Sequence, residues 1–146
     1  MKTSMQNLLE NYPVVWTETL QWGDMDMFNH INSVHYFRYF ENARIAYLKK
    51  LDILDRLKSA SLAIVVRDQG CRYKAPLKFP DTILVGISAG SIEPDRLIFK
   101  YDIISQHSEL ITATGTSTMV VINSSTGRKS NMPDDVAEEI GRLESL

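Results

Sequence analysis

The sequence predicts an α+β domain in which an antiparallel β-sheet wraps around one long central α-helix. One broadly apolar helical segment lies near residues 31–51, and several alternating segments follow between residues 61 and 122. A helix that is apolar on more than one side has to be buried, and the pattern offers only a sheet as its partner. We expect one domain over residues 1–146, because this length suits a single hydrophobic core.

The first strand is expected within residues 14–22. Trp16, Leu20 and Trp22 have the same parity, so period-two spacing places them on one face of the strand. The alternation stops at residues 23–30, which are polar and fit neither period. We therefore expect a loop there, immediately before the helix.

The central helix is predicted from about residue 31 to residue 51. Its apolar residues recur at steps of three and four, which places the following on one face: Tyr36, Phe40, Ala43, Tyr47 and Leu51. Asn32 or Ser33 can cap the start of the helix. Glu41 and Arg44 are three residues apart, and this spacing favours an intrahelical ion pair over a catalytic role for Glu41.

Four strands are expected after the helix, at residues 62–73, 83–88, 97–104 and 109–122. Gly70 predicts an irregularity within the first of them. Short connections with turn residues predict that these strands pair antiparallel in sequence order, as a meander. A final short helix is expected over residues 133–143, with Pro133 near its start.

Composition and charge exclude several classes of protein. Sixteen Lys and Arg residues oppose 18 Asp and Glu residues, a formal net charge of −2, so the chain lacks the basic excess of a nucleic-acid binder. The single cysteine, Cys71, excludes an internal disulfide and fits a reducing compartment. No stretch approaches the roughly 18 apolar residues of a membrane span, and the first residues lack a signal-peptide pattern. We expect a cytoplasmic protein without nucleic-acid or membrane partners.

Three segments carry a resemblance to a known family. Residues 23–33 read GDMDMFNHINS, which resembles the GDxDxxxHVNN signature of the hotdog-fold acyl-CoA thioesterases, and within them the 4-hydroxybenzoyl-CoA thioesterase-like family. Residues 36–44 read YFRYFENAR and are similar to that family's YxxYFExAR helix. Residues 73–81 resemble its YxxPLxxGD turn, with Pro80 where the family usually has Gly. The resemblance covers about residues 14–133, and over this range the order of predicted helices and strands also matches that of the family.

The resemblance implies a hotdog fold and hydrolysis of an acyl-CoA thioester to a free acid and CoA. It also implies a homodimer or homotetramer whose active site is built across a dimer interface. By position, Asp26 corresponds to the catalytic carboxylate and Asp24 to an acid that is more often structural. His30 and Asn32 match the family's His and Asn, and they are further candidate catalytic residues. Nothing in the sequence points to a cofactor.

A carboxylate suits this chemistry because it can attack the thioester carbonyl or take a proton from water. The sequence leaves both routes open. Free backbone N–H groups at the helix start, around residues 32–35, can stabilise the negative charge that develops on the carbonyl oxygen. Spacing alone also allows Asp24 and Asp26 to brace the loop, and His30 to be structural.

Substrate contacts are expected from Ser33 and Tyr36 near the acyl group. Basic residues cluster along the 62–73 strand and its following turn, and Arg67 and Lys74 are the candidates for binding CoA phosphates. A metal site is disfavoured because the nearby acids and histidines lack the well-defined trio of a hydrolase metal. Three other classes stay open: a non-catalytic acyl-CoA or acyl-carrier-protein binding module, a hydratase or dehydratase, and a structural dimer.

Overall fold

The computed structural model describes residues 4–145. The strands are β1 (Val14–Thr19), β2 (Leu62–Tyr73), β3 (Thr82–Glu93), β4 (Arg96–Ser105) and β5 (Ile111–Asn123). The α-helices are α1 (Ser4–Leu9), α2 (Tyr36–Lys50), α3 (Ile53–Ser59) and α4 (Asp134–Ser145). Two 3₁₀ turns, Trp22–Asp24 and Ser33–His35, lie between β1 and α2. The predicted strands and the final helix are confirmed, whereas the sequence pattern did not predict α1 and α3.

The five strands form one antiparallel sheet in the order β1-β3-β4-β5-β2. The predicted meander is therefore correct for β3, β4 and β5 but wrong for β2, which pairs with β5 at the sheet edge. The connection after β2 contains Leu77, which is buried and accepts a hydrogen bond from the Ile31 N–H at 2.8 Å. Because this connection packs against the segment before α2, it does not fold back as a hairpin onto β2.

Helix α2 packs on one face of the sheet and supplies much of the core. Its buried residues are Tyr36, Tyr39, Phe40, Ala43, Arg44, Tyr47 and Leu48. The Phe40 ring stacks on Tyr101 of β4 with centroids 4.6 Å apart. It also covers Gly115 of β5, where a Cβ atom would overlap the ring. These contacts confirm the predicted α+β arrangement, in which one helix is buried against one sheet.

Three local predictions differ from the structure. Strand β1 ends at Thr19, and Trp22 lies in a 3₁₀ turn with 71% of its surface exposed, so it does not share a strand face with Trp16. The predicted 31–51 helix divides into the Ser33–His35 turn and α2. The irregularity in β2 is a register shift between Val66 and Asp68, whereas Gly70 pairs with β5 in register.

The intrahelical ion pair between Glu41 and Arg44 is present, with the Oε2 and Nη2 atoms 3.9 Å apart. Arg44 is 5% exposed and donates from Nη1 to the Tyr101 hydroxyl at 3.2 Å. Arg44 thus joins α2 to the sheet, whereas Glu41, within the described residues, pairs only with arginines of its own helix, Arg38 and Arg44. Among the helices of residues 4–145, none combines the length and the apolar character that crossing a bilayer requires.

Candidate active site

The polar stretch after β1 folds into a closed loop that ends at the start of the helix. The Asp26 N–H donates to the His30 carbonyl at 2.9 Å, and the Asn29 N–H donates to the Asp26 carbonyl at 3.0 Å. Asn29 has a φ of 60°, a left-handed conformation that asparagine tolerates better than most residues. An isolated bridge between Met25 and Ile31 closes the loop. The loop therefore has a fixed shape that presents Asp26 and His30 together.

The Asp26 carboxylate has one oxygen engaged and one oxygen free. Its Oδ1 atom accepts a hydrogen bond from the Phe28 N–H at 2.9 Å, an Asx turn that orients the side chain. Within residues 4–145, no donor reaches its Oδ2 atom, and no basic side chain forms an ion pair with it. Asp26 is half-buried. The Oδ1 atom of Asp26 therefore braces the loop, which is the role that sequence spacing alone allowed. The Oδ2 atom has no partner within the described residues and is available for chemistry.

A pocket of about 360 Å³ opens beside this carboxylate. It is lined by Asp26, His30, Ile31, Ser33, Tyr36, Tyr73, Lys74, Ala75 and Pro76. The structure thus places five of the seven sequence-predicted site residues around one pocket, drawn from the loop, the helix start and the end of β2. Asn32 and Arg67 are not among the lining residues.

The backbone N–H groups at the helix start are mostly occupied. The Asn32 N–H donates to the Asp24 carbonyl at 2.9 Å, and the His35 N–H donates to the Asn32 carbonyl at 3.1 Å. The Val34 N–H donates to the Asn32 Oδ1 atom at 3.1 Å, which confirms Asn32 as the cap of the turn. Within the described residues, the Ser33 N–H alone of these four has no acceptor. It belongs to a residue that lines the pocket.

Tyr73 is a pocket residue that the sequence did not single out. Its hydroxyl donates to the Ser33 carbonyl at 3.1 Å, and its ring meets Tyr36 edge-on with centroids 4.8 Å apart. Tyr36 is buried, and burial raises the pKa of its hydroxyl to about 12, so this group is protonated at neutral pH. The first position of the YxxPLxxGD turn, which Tyr73 occupies, was the available signal.

The remaining candidates lie outside the pocket. Asp24 faces His35, with the Oδ1 and Nε2 atoms 3.7 Å apart, so it braces the loop against the helix start. Arg67 lies on β2 at the register shift, and its Nε atom is 4.0 Å from Asp68 Oδ2. Across residues 4–145, no three His, Cys, Asp or Glu side chains come together in a way that could hold a metal ion.

A family model described as the thioesterase-like superfamily matches residues 20–140 of the chain. The chain belongs to this superfamily. The match spans the loop, α2 and all four later strands, so it includes every residue that lines the candidate pocket. Membership confirms the resemblance that the loop and helix motifs carried, and with it the hotdog architecture.

Relatives and solved structures agree with this assignment. The YsmA protein of Bacillus subtilis is 26% identical over 123 residues, which cover 84% of this chain and 81% of that protein. A DHNA-CoA thioesterase from Staphylococcus aureus superposes with a TM-score of 0.81 at 20% identity, covering 91% of both chains. A Thermus thermophilus thioesterase, solved with coenzyme A and zinc, superposes with a TM-score of 0.80 at 24% identity and covers 94% of this chain and 98% of its own. At these identities the two structures establish the fold.

Proposed function

We propose that this member of the thioesterase-like superfamily hydrolyses acyl-CoA thioesters to a free carboxylic acid and CoA. One observation carries the proposal: Asp26, a half-buried carboxylate with a free oxygen, lines the same pocket as Ser33, whose N–H has no acceptor within the described residues. The similar structures add support, since one is a thioesterase for a CoA ester and another was solved with coenzyme A.

Two routes are compatible with this pair of groups. In the first, the Asp26 carboxylate attacks the thioester carbonyl carbon, the C–S bond breaks, and water hydrolyses the resulting anhydride. In the second, Asp26 takes a proton from a water molecule as that water attacks the carbonyl carbon, and the C–S bond then breaks to release the CoA thiolate, which takes up the proton. Both routes place negative charge on the carbonyl oxygen, and the Ser33 N–H is the proposed donor to that oxygen.

The other predicted residues take supporting roles in this proposal. All three of Ser33, Tyr36 and Lys74 line the pocket. We assign the Ser33 side chain and the Tyr36 ring to the acyl group, and Lys74 to a CoA phosphate, which needs a cation. His30 orients the substrate beside Asp26. Asn32 acts through its cap, because it holds the Val34 N–H and leaves the Ser33 N–H as the free donor.

A homodimer completes the proposed site. Strand β2 is a twelve-residue edge strand, and long exposed edges favour pairing with another chain. Its Val65 and Val66 are 38% and 39% exposed, while Met27 and Phe28 of the adjoining loop are 87% and 73% exposed. We propose that two copies pair along β2, which would bring Arg67 close to the second copy and its bound CoA.

Thiol release from a panel of acyl-CoA substrates tests the catalytic role of Asp26. Asp26→Asn preserves the shape and the Asx turn but removes the charge that both routes need, so we expect kcat/KM to fall roughly 100-fold or more. Asp24→Asn is the matched control, since it makes the same chemical change two residues away and outside the pocket. We expect a markedly smaller loss there. Wild-type rates for Asp26→Asn would overturn the assignment.

A second candidate is a binding module that holds acyl-CoA or an acyl carrier protein without turnover. The arrangement of the pocket does not by itself exclude it. Calorimetric titration with a non-hydrolysable acyl-CoA analogue, beside the thiol-release assay, separates the two functions. Binding without thiol release from any acyl-CoA would favour the binding module, and absence of both would exclude both functions.

A further inference from the structure

The turn that carries the proposed oxyanion donor is attached to the sheet through a tyrosine side chain. Tyr73 is the last residue of β2, and its hydroxyl donates to the Ser33 carbonyl at 3.1 Å. The Ser33 carbonyl also accepts from the Tyr36 N–H, so both of its lone pairs are used. The bond to Tyr36 lies within the turn itself. The bond to Tyr73 therefore adds the link between the turn and the sheet.

The peptide group between Ser33 and Val34 is held at both of its polar atoms. Its carbonyl oxygen accepts from the Tyr73 hydroxyl, and its N–H, from Val34, donates to the Asn32 Oδ1 atom at 3.1 Å. Because a peptide group is planar, two bonds at opposite ends limit how far it can rotate. The free N–H of Ser33 belongs to the adjoining peptide group, so its direction depends on how firmly this one is held.

Tyr73 is itself fixed by the sheet. It pairs with Ala113 in the β2–β5 register, and the N–H of the next residue, Lys74, donates to the Thr112 carbonyl at 2.8 Å. Its ring packs edge-on against the buried Tyr36 ring. Burial raises the pKa of the Tyr73 hydroxyl above its usual value, so this group keeps its proton and donates at neutral pH.

The exposure of Tyr73 argues that its hydroxyl matters for geometry more than for stability. The residue is 47% exposed, and a hydrogen bond that water can replace adds little to the free energy of unfolding. Ser33, in contrast, lines the candidate pocket. A group that is misplaced there by about 1 Å can lower a reaction rate on the order of 100-fold.

We propose that Tyr73 is a positioning residue for the proposed hydrolysis. Its hydroxyl holds the Ser33–His35 turn against the end of β2 and so keeps the position of the Ser33 N–H fixed relative to Asp26. Tyr73 acts through Ser33 and not on the reacting atoms. This inference rests on the proposed function and adds to it a residue that couples the edge strand to the oxyanion donor.

Thiol release by Tyr73→Phe tests this role, because the change removes the hydroxyl and keeps the ring that packs on Tyr36. A loosened donor stabilises the developing charge less but leaves substrate binding intact. We therefore expect kcat to fall about tenfold while KM stays within about twofold of the wild-type value. An increase in KM at constant kcat would show that the hydroxyl binds substrate, and it would overturn the proposal.

Tyr12→Phe is the matched control. The Tyr12 ring covers Gly86 of β3, whose neighbours Val85 and Ile87 are buried in the core. Because side chains alternate along a strand, Tyr12 lies on the opposite face of the sheet from Tyr73 and Tyr36. The same loss of a hydroxyl should leave kcat and KM unchanged there.

Amide hydrogen exchange measured by NMR tests the contact without turnover. The Val34 N–H is protected by its bond to Asn32, and we expect it to exchange several-fold faster in Tyr73→Phe but at the wild-type rate in Tyr12→Phe. Urea unfolding of Tyr73→Phe should match that of the wild type.

Wild-type kcat in Tyr73→Phe, or unchanged exchange at Val34, would overturn the proposal. A lower kcat that comes with a lower urea midpoint would also overturn it, since the role would then be structural. Absence of thiol release from the wild type would overturn the proposed hydrolysis itself, and the wild-type assay shows this before any variant is compared.

Discussion

The reactive groups of the candidate site are those whose hydrogen-bonding capacity the surrounding loop leaves unused. The Asx turn occupies one oxygen of Asp26. Two backbone carbonyls and the Asn32 side chain accept from three of the four N–H groups at the helix start. Within residues 4–145, the free oxygen and the Ser33 N–H are therefore both unpaired before any ligand binds, as the proposed function requires. Such preorganisation is a large part of how enzymes stabilise developing charge.

Tyr36 predicts a pH dependence of stability on the alkaline side. Burial raises its pKa to about 12 in the folded chain, against about 10 in the unfolded chain. Between these two pKa values the folded state keeps a proton that the unfolded state loses. The contribution of Tyr36 to the free energy of unfolding is therefore complete below the unfolded pKa and falls as pH rises towards the folded pKa. Between roughly pH 8 and pH 11 the contribution to the free energy of unfolding falls by about 1.4 kcal/mol.

Urea unfolding of the wild type and of Tyr36→Phe over this pH range measures the effect. The wild type should lose about 1.4 kcal/mol more than the variant, because Phe does not titrate. The other buried tyrosines are present in both proteins, so their contributions cancel in the comparison. Parallel pH profiles for the two proteins would contradict the prediction.

Among the secondary-structure elements, the position of α2 depends on how closely its side chains approach the sheet. Phe40 lies against Gly115 of β5, and the nearby Gly70 carbonyl oxygen is 3.1 Å from the place where a Gly115 Cβ atom would be. The turn that contains Ser33 continues directly into α2. A shift of the helix would therefore move the proposed oxyanion donor relative to Asp26.

Two glycine substitutions give opposite expected effects on stability. Gly115→Ala forces a methyl group into the Phe40 ring, and such overpacking costs about 1–3 kcal/mol. Gly141→Ala lies within α4, where nothing is within 4 Å of the added Cβ atom, so we expect a gain of about 0.5–1 kcal/mol. Chemical denaturation of both variants checks the pair, and a stabilised Gly115→Ala would show that α2 can shift without cost.

For the whole molecule, the two edges of the sheet differ in what they expose. Edge strand β1 has six residues, whereas β2 has twelve and carries the exposed Val65 and Val66. Charges on an edge strand oppose pairing with another chain. We therefore expect the free β2 edge to control assembly, and through it the proposed active site.

The double variant Val65→Lys with Val66→Lys is expected to prevent edge pairing. Light scattering should show that the wild-type dimer unit is lost, and thiol release should fall with it because the proposed site spans two copies. Leu110→Lys, at a residue that is 60% exposed in the turn after β4, is the matched control and should change neither. An unchanged mass with full activity in the β2 variant would exclude the edge as the interface.

Local sequence determined most of the secondary-structure elements and which polar residue types the loop carries. The period-two and helical patterns predicted the strands, α4 and most of α2, because these patterns depend on neighbours along the chain. The loop motif likewise predicts Asp26, His30 and Ser33 as site residues, and all three line the candidate pocket. The pattern does not predict the 3₁₀ position of Trp22 or the split before α2, because these features depend on hydrogen bonds with residues that are distant in the sequence. One such bond is donated by the Leu20 N–H to the Asp81 carbonyl, at 3.0 Å.

Only the tertiary structure decided which strands are neighbours and which groups are left unpaired. The sequence pattern of β2 does not predict whether β2 pairs with β3 or with β5. In the structure β2 pairs with β5, and the buried Leu77 in the connection after β2 packs against the segment before α2. Tyr73, the last residue of β2, and Lys74, which follows it, both line the pocket. The contrast between engaged Asp24 and half-free Asp26 is also a contact property. Such properties depend on distances in space, which spacing along a sequence does not determine.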